Sequence, residues 1–311
     1  MILFFYGPNT FASKQKLAAT IEAYEKKSGN NFGVERIDGE ETDLKSLAET
    51  LQASPFLAAS RLVIISYLSK NKLLAENAIK LLNRIPDSTV VVFYEQEIDS
   101  QSAFYKTLKA KARAVKFDLL SVAALQKWVK EEVAKNQAEI DEEAAQLLVE
   151  IVGDDQWRLE QEILKLVNYS NKIKSEDVKA MVEPSFQQSI FDLIEAMSKG
   201  DVQRALSIYK DLITKRTDEM YILNMITWQL RNLILAKTAG NITPAELAQQ
   251  TGMSPFVASK ALAQEGILSE EVLKKAFLTS LQTNYAIKTG HGDADQLIEH
   301  LILKITRELG Q

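Results

Sequence analysis

The run Gly7-Pro-Asn-Thr-Phe-Ala-Ser-Lys14 follows an apolar segment, Ile2-Leu-Phe-Phe-Tyr6, and precedes an amphipathic stretch. A turn so placed is where α/β nucleotide-binding folds hold phosphate. A phosphate loop reads G-x-x-x-x-G-K-[ST]. Only its first glycine is present here. Ala12 stands at the second glycine, Ser13 at the lysine and Lys14 at the magnesium hydroxyl. Ala12 puts a Cβ where backbone should wrap phosphate, Ser13 carries no charge to neutralise it, and Lys14 cannot ligate magnesium. The acidic half of such a site is equally thin. Ser66, Tyr67 and Leu68 follow the apolar run 62–65, and only the next run ends near carboxylates, at Glu95, Glu97 and Asp99. The turn reads either as a phosphate-loop scaffold without its chemistry or as an unrelated α/β turn holding a glycine and a proline, and the turn alone favours the second.

Other chemistry is scarce. The 311 residues contain no cysteine and two histidines, His291 and His300. Disulfides, thiolate metal sites and cysteine nucleophiles are excluded, and a multi-histidine zinc site is nearly so. Lys288-Thr-Gly-His291-Gly-Asp293 looks like a catalytic loop but has no nucleophile elbow or metal partner, and reads as a connection between helices. Residues 243–262 resemble a helix-turn-helix with Gly252 at the turn, yet the second helix offers one cation, Lys260, beside alanines, so packing is favoured over DNA readout. Ser54-Pro55-Phe56-Leu57 joins a helix to an apolar strand. An apolar pair at a loop tip inserts into a partner pocket or tucks under the adjacent helix, and the residues alone favour the second, since most Phe and Leu residues are core.

The elements that position these residues form three groups. Apolar runs at 2–6, 34–37, 62–65, 89–94 and 114–117 alternate with helical patterns at 11–27, 43–51, 73–85 and 103–112. Leu44, Leu47, Ala48 and Leu51 are expected to face inward. Five strands separated by helices imply a mostly parallel sheet covered on both faces. The β signal stops after Phe117. Helices are expected at 121–135, 141–152, 156–169 and 175–182, with Trp157, Ile163 and Leu166 toward the core. From Ser189 onward everything reads helical, broken at Gly200, Gly240, Gly252, Gly266 and Gly290. The last helix, with Leu297, Ile298, Leu301, Ile302 and Ile305, suits a core or an oligomer seam. The expected division is an α/β domain at 1–136, a small helical domain at 137–185 and a larger helical domain at 186–311.

Composition fits that plan. The chain is 46% hydrophobic and 25% charged, with net charge -5. The mild acidity argues against gripping nucleic acid by bulk charge. No apolar run approaches the roughly 18 residues of a membrane span, so a cytoplasmic location is expected.

Together these pieces resemble one family, the delta subunit of the bacterial DNA polymerase III clamp loader. The resemblance rests on Gly7-x-Asn9-x-Phe11, Pro55-Phe56-Leu57 before Ser60-Arg61-Leu62-Val63-Ile64, and Val152-Gly153-Asp154-Asp155. It continues through Leu159-x-x-Glu162-Ile163-x-Lys165-Leu166, Ser189-Ile190-Phe191-Asp192-Leu193, Gly200-Asp201, Gln229-Leu230-Arg231 and Lys288-x-Gly290. It implies an α/β plus all-α chain: an AAA+-like parallel-sheet domain, a small helical lid and a C-terminal helical collar. It further implies no cofactor, no metal and no catalysis by this chain, although the polymerase holoenzyme it serves is a DNA-directed nucleotidyltransferase. The implied partners are the sliding clamp, ATPase subunits of the gamma/tau type, a delta-prime-like subunit and, through the assembly, primed DNA. Pro55, Phe56 and Leu57 match the positions that wedge into the clamp, with Arg61 as a rim or structural residue. A helix-turn-helix regulator and an active nucleotide-binding ATPase are the competing readings.

Overall fold

The computed structural model describes residues 1–28, 33–54, 60–264 and 269–309. The expected clamp-contact residues Pro55, Phe56 and Leu57 and the expected break at Gly266 lie outside them. Two compact units divide the chain, Met1–Leu119 and Leu120–Gln311.

In the first unit the elements alternate as expected: β1 (Ile2–Tyr6), α1 (Thr10–Ser28), β2 (Val34–Asp38), α2 (Leu44–Gln52), β3 (Arg61–Ser66), α3 (Lys72–Leu81), β4 (Thr89–Glu95), α4 (Ala103–Lys111) and β5 (Arg113–Lys116). A 3-10 turn at Leu68–Lys70 follows β3, and another at Leu82–Arg84 ends α3. All five strands are parallel, in the order β2-β3-β4-β1-β5. Burial on both faces explains the unbroken apolar runs, because successive strand residues point to opposite sides. Phe4, Tyr6, Val63, Ile65, Val91 and Phe93 face Leu47 and Leu51 of α2, Leu74 and Ala78 of α3, and Phe104 and Leu108 of α4. Leu3, Phe5, Leu62, Ile64, Val92 and Tyr94 face Leu17, Ile21 and Tyr24 of α1. Each fully buried Leu, Ile, Val or Phe among them contributes about 1.5–3 kcal/mol. Asp43, Asn71 and Ser102 cap α2, α3 and α4 by accepting from Ser46, Leu74 and Tyr105 amides, at about 1 kcal/mol each.

The second unit is helical. It comprises α5 (Val122–Lys135), β6 (Glu139–Ile140), α6 (Glu142–Val152), α7 (Gln156–Tyr169), β7 (Lys172–Ile173), α8 (Ser175–Met181), α9 (Phe186–Ser198), α10 (Val202–Thr214), α11 (Glu219–Ala239), α12 (Pro244–Thr251), α13 (Pro255–Gln264), α14 (Glu270–Lys288) and α15 (Ala294–Leu309). One cluster joins α5 to α8 around Leu125, Val129, Leu148, Leu159 and Ile163, reaching Phe191 and Phe256. The other joins α9 to α15 around Tyr209, Ile226, Leu230, Ile298 and Ile302. The terminal helix α15 is therefore core.

Four expectations change. The break expected after residue 136 falls inside the second unit: Gln137 turns with φ 60°, and α5 packs on α6 and α7. Residues 139–140 and 172–173 form a parallel pair, too short for alternation to reveal it. Trp157 is 40% exposed, because at 3.6 residues per turn it lies about 160° around α7 from Leu159. Leu44 is 43% exposed. As the first residue of α2 it has no preceding turn for its side chain to cover.

Candidate functional site

The turn after β1 is closed by the chain's own groups. The Gly7 amide donates to Glu95 O (3.0 Å) and the Asn9 amide to Phe117 O (3.0 Å). The Asn9 side chain caps α1, with Oδ1 accepting from the Ala12 amide (2.9 Å) and Nδ2 donating to Asp118 O (3.2 Å). The Ser13 amide donates to Asn9 O (3.1 Å). The Gly7, Asn9, Ala12 and Ser13 amides, donors that a phosphate could take, are thus engaged within the chain. Ser13 itself is buried, with Oγ 3.0 Å from Tyr94 Oη on the neighbouring strand face. Gly7 is required for two reasons. Its φ is +125°, and a Cβ there would lie 2.4 Å from Phe117 O.

Glu95 ends β4 beside Tyr6 in β1 and is 1% exposed. It accepts from the Ser69 amide (3.1 Å) and the Ser69 hydroxyl (2.6 Å). Burial pushes its carboxyl up to about 7, against the opposing pull of those Ser69 bonds. The segment that supplies Ser69 leaves β3 through Tyr67, whose φ of 59° is left-handed. Lys70 of that segment turns to Glu40 at 2.6 Å. Of the three carboxylates expected near this strand end, Glu95 is buried and bonded to a serine, while Glu97 and Asp99 are exposed.

The loop expected to carry Pro55, Phe56 and Leu57 is tied at both ends. Arg61, the first residue of β3, donates through Nη1 to Thr50 O (3.0 Å) and Ala53 O (2.8 Å) at the end of α2. Its Nη2 pairs with Glu35 on β2, and Glu35 also accepts from Thr50 Oγ1. On the strand side, Tyr24 of α1 donates to Ser60 O (2.6 Å). Arg61 is thus a structural clasp. An arginine beginning a strand carries no sequence signal for this role, since two of its acceptors are backbone carbonyls and the third, Glu35, lies 26 residues away.

The remaining candidates are placed by packing. In the helix-turn-helix segment, Thr243 and Glu246 form a capping box, and Gly252 closes α12 at φ 75°. Phe256, Val257, Ala258 and Ala261 of α13 are buried. Its cation, Lys260, is engaged by Glu150 at 3.0 Å. His291 lies in the exposed turn before α15, bonded to Thr289 Oγ1 through Nδ1 (2.7 Å). Among the described residues, no group of three histidine, aspartate or glutamate side chains is placed to hold a metal ion. No described helix is long and apolar enough to cross a membrane.

Comparison with known proteins agrees across both units. Residues 3–118 match the family model of the DNA polymerase III delta subunit, and residues 187–305 match the model of the C-terminal domain of the DNA polymerase III delta subunit. The DNA polymerase III subunit delta of Bacillus subtilis (strain 168) is 25% identical over 97% of this chain and 92% of its own length. A probable DNA polymerase III subunit delta of Aquifex aeolicus (strain VF5) is 22% identical over 71% of this chain and 65% of its own. The solved structure of the Bacillus subtilis DNA clamp loader delta protein superimposes with a TM-score of 0.71 at 23% identity, over 98% of this chain and 95% of that one. That likeness gives the fold, a parallel-sheet unit followed by helices, and with the two matched segments it assigns the chain to the DNA polymerase III delta subunit family.

Proposed function

We propose that this chain is the clamp-binding subunit of its clamp loader: it grips the sliding clamp through Phe56 and Leu57, with Pro55 beside them, and favours the opened ring. The observation that carries this is the match of both units to delta-subunit models. The Arg61 clasp supports it, since a tethered loop presents two apolar anchors at lower ordering cost than a loose one. Ring opening then needs only tighter binding to the open clamp than to the closed one. We read the three-part plan of AAA+-like domain, lid and collar onto this chain with α5 counted in the lid, and we place the protein in the cytoplasm. Co-purification with the cognate clamp tests the assignment: a folded chain that fails to retain the clamp at micromolar concentration removes it.

The closed turn at Gly7–Ser13 supports the view that hydrolysis belongs to ATPase subunits of the gamma/tau type, while a delta-prime-like partner completes the loader around primed DNA. Titration of the isolated chain with a fluorescent ATP analogue and magnesium is expected to give no saturation. Saturable micromolar binding would favour an active ATPase.

We assign those neighbours a docking surface on α14. Leu278, Leu281 and Tyr285 are 58%, 43% and 70% exposed and fall on one helical face. The pair Leu278→Ser and Tyr285→Ser is expected to weaken assembly with the other loader subunits about tenfold or more, the scale of a lost apolar anchor. Size-exclusion light scattering of the reconstituted loader measures it, with clamp binding by the isolated chain as the unchanged control.

A further inference from the structure

A cavity of about 330 Å³ lies in the helical unit, between the α6–α7 turn, α11 and the α12–α13 turn. Asn232 of α11 lines it and is 0% exposed, and neither Oδ1 nor Nδ2 has a hydrogen-bond partner. A buried amide with both ends unpaired is unfavourable to folding. The helix could carry a leucine there at no such cost, so the amide points to a ligand that supplies both a donor and an acceptor. The other walls describe that ligand. Trp228, Met253 and Val257 present apolar surface, while Arg231 and Asp154 bring one charge of each sign. Such a lining has no net charge with which to hold phosphate.

We propose that this cavity binds a short extended peptide segment of a partner protein, with Asn232 pairing to one peptide group. An asparagine amide offers a donor and an acceptor side by side, the same pair that a peptide unit presents through its C=O and N–H. Trp228, Met253 and Val257 take an apolar side chain next to that peptide group. Arg231 takes an acidic side chain at the mouth. This site is separate from the 53–60 loop and stands independently of the clamp reading. The volume sits at the lower end of the roughly 300–1,000 Å³ found for ligand pockets, enough for a few residues and too small for a folded element.

The test uses the full chain and a capped tripeptide of aspartate, leucine and alanine as probe. In NMR titration the Asn232 side-chain amide and the Trp228 indole N–H are expected to shift saturably, with Kd of about 1 mM. Asn232→Leu is expected to abolish the response while holding or raising the thermal midpoint. No saturable shift with wild type would overturn the proposal, as would undiminished binding by a folded Asn232→Leu chain. Thymidine and adenosine trinucleotides form the second arm: if they shift these resonances and the peptide does not, the amide reads a base edge and the peptide assignment falls.

Discussion

Replacing Phe56 and Leu57 together by alanine is expected to weaken sliding-clamp binding by about 100-fold or more, with the thermal midpoint unchanged. Buried apolar anchors at the centre of an interface each contribute about 2 kcal/mol or more, and every 1.4 kcal/mol is about a factor of ten. Surface plasmon resonance against immobilised clamp reads the affinity, and thermal unfolding reads the fold. The two measurements separate the two roles that the sequence allows for this pair. If Phe56 and Leu57 are core residues, the double replacement costs about 5–10 kcal/mol of stability, and the folded fraction keeps its clamp affinity. That outcome would remove them as the site.

Arg61 supplies the companion experiment. Its guanidinium holds Thr50 O and Ala53 O and pairs with Glu35. Arg61→Ala leaves both anchors in place but frees the end of α2 from the start of β3, so clamp affinity is expected to fall about tenfold through added loop-ordering cost. Arg61→Lys should not restore it. A lysine ammonium is a point charge and cannot span two carbonyls and a carboxylate as a planar fork does. Full rescue by lysine would reduce the clasp to a simple charge pair.

How much of this was legible in the sequence depends on the range of the interaction. The run Thr89-Val-Val-Val-Phe-Tyr94 announces β4 because a strand buried on both faces needs no polar alternation. Asp43 and Ser121 announce helix starts because capping acts over three residues. Ala12, Ser13 and Lys14 could be recognised as wrong for phosphate from residue type alone. That Ser13 meets Tyr94, 81 residues away, could not. That contact depends on β1 lying beside β4, which strand pairing decides and local pattern does not. The same holds for Arg61, whose acceptors are carbonyls at the end of α2 and the Glu35 carboxylate on β2. Asn232 gives no signal of its role, although Gln229-Leu230-Arg231 beside it carry part of the family resemblance, because burial of an amide leaves no mark in the sequence. Pro55, Phe56 and Leu57 were legible only by resemblance, and they remain a proposal resting on that and on the clasp beside them.

Glu95 makes stability depend on pH in the direction opposite to most carboxylates. Its carboxyl titrates near 7 in the folded chain against 4.5 for an ordinary glutamate. Folding therefore favours the protonated form. The stabilisation is fully present below about pH 4.5 and is lost as pH rises through about 7, amounting to about 3 kcal/mol over that window. Glu95→Gln retains the shape and the acceptor for the Ser69 amide, and it cannot ionise. The expected result is a variant about 2–3 kcal/mol more stable than the parent at pH 8, the difference shrinking toward zero near pH 5. Urea unfolding of both chains at several pH values measures it, and taking the difference between them cancels every other titrating group. A constant difference across pH would show that Glu95 does not titrate in this window. A variant less stable at pH 8 would show that the ionised carboxylate is the form that Ser69 holds. The gain in the variant carries a functional meaning as well. Glu95 joins the turn at Gly7 through its carbonyl and the Tyr67–Lys70 segment through its carboxyl. In a relative that bound nucleotide, an acid at the end of a central strand would work in the ionised state beside a metal. Here desolvation and the two Ser69 bonds make the same position a buried brace between the Gly7 turn and the Tyr67–Lys70 segment.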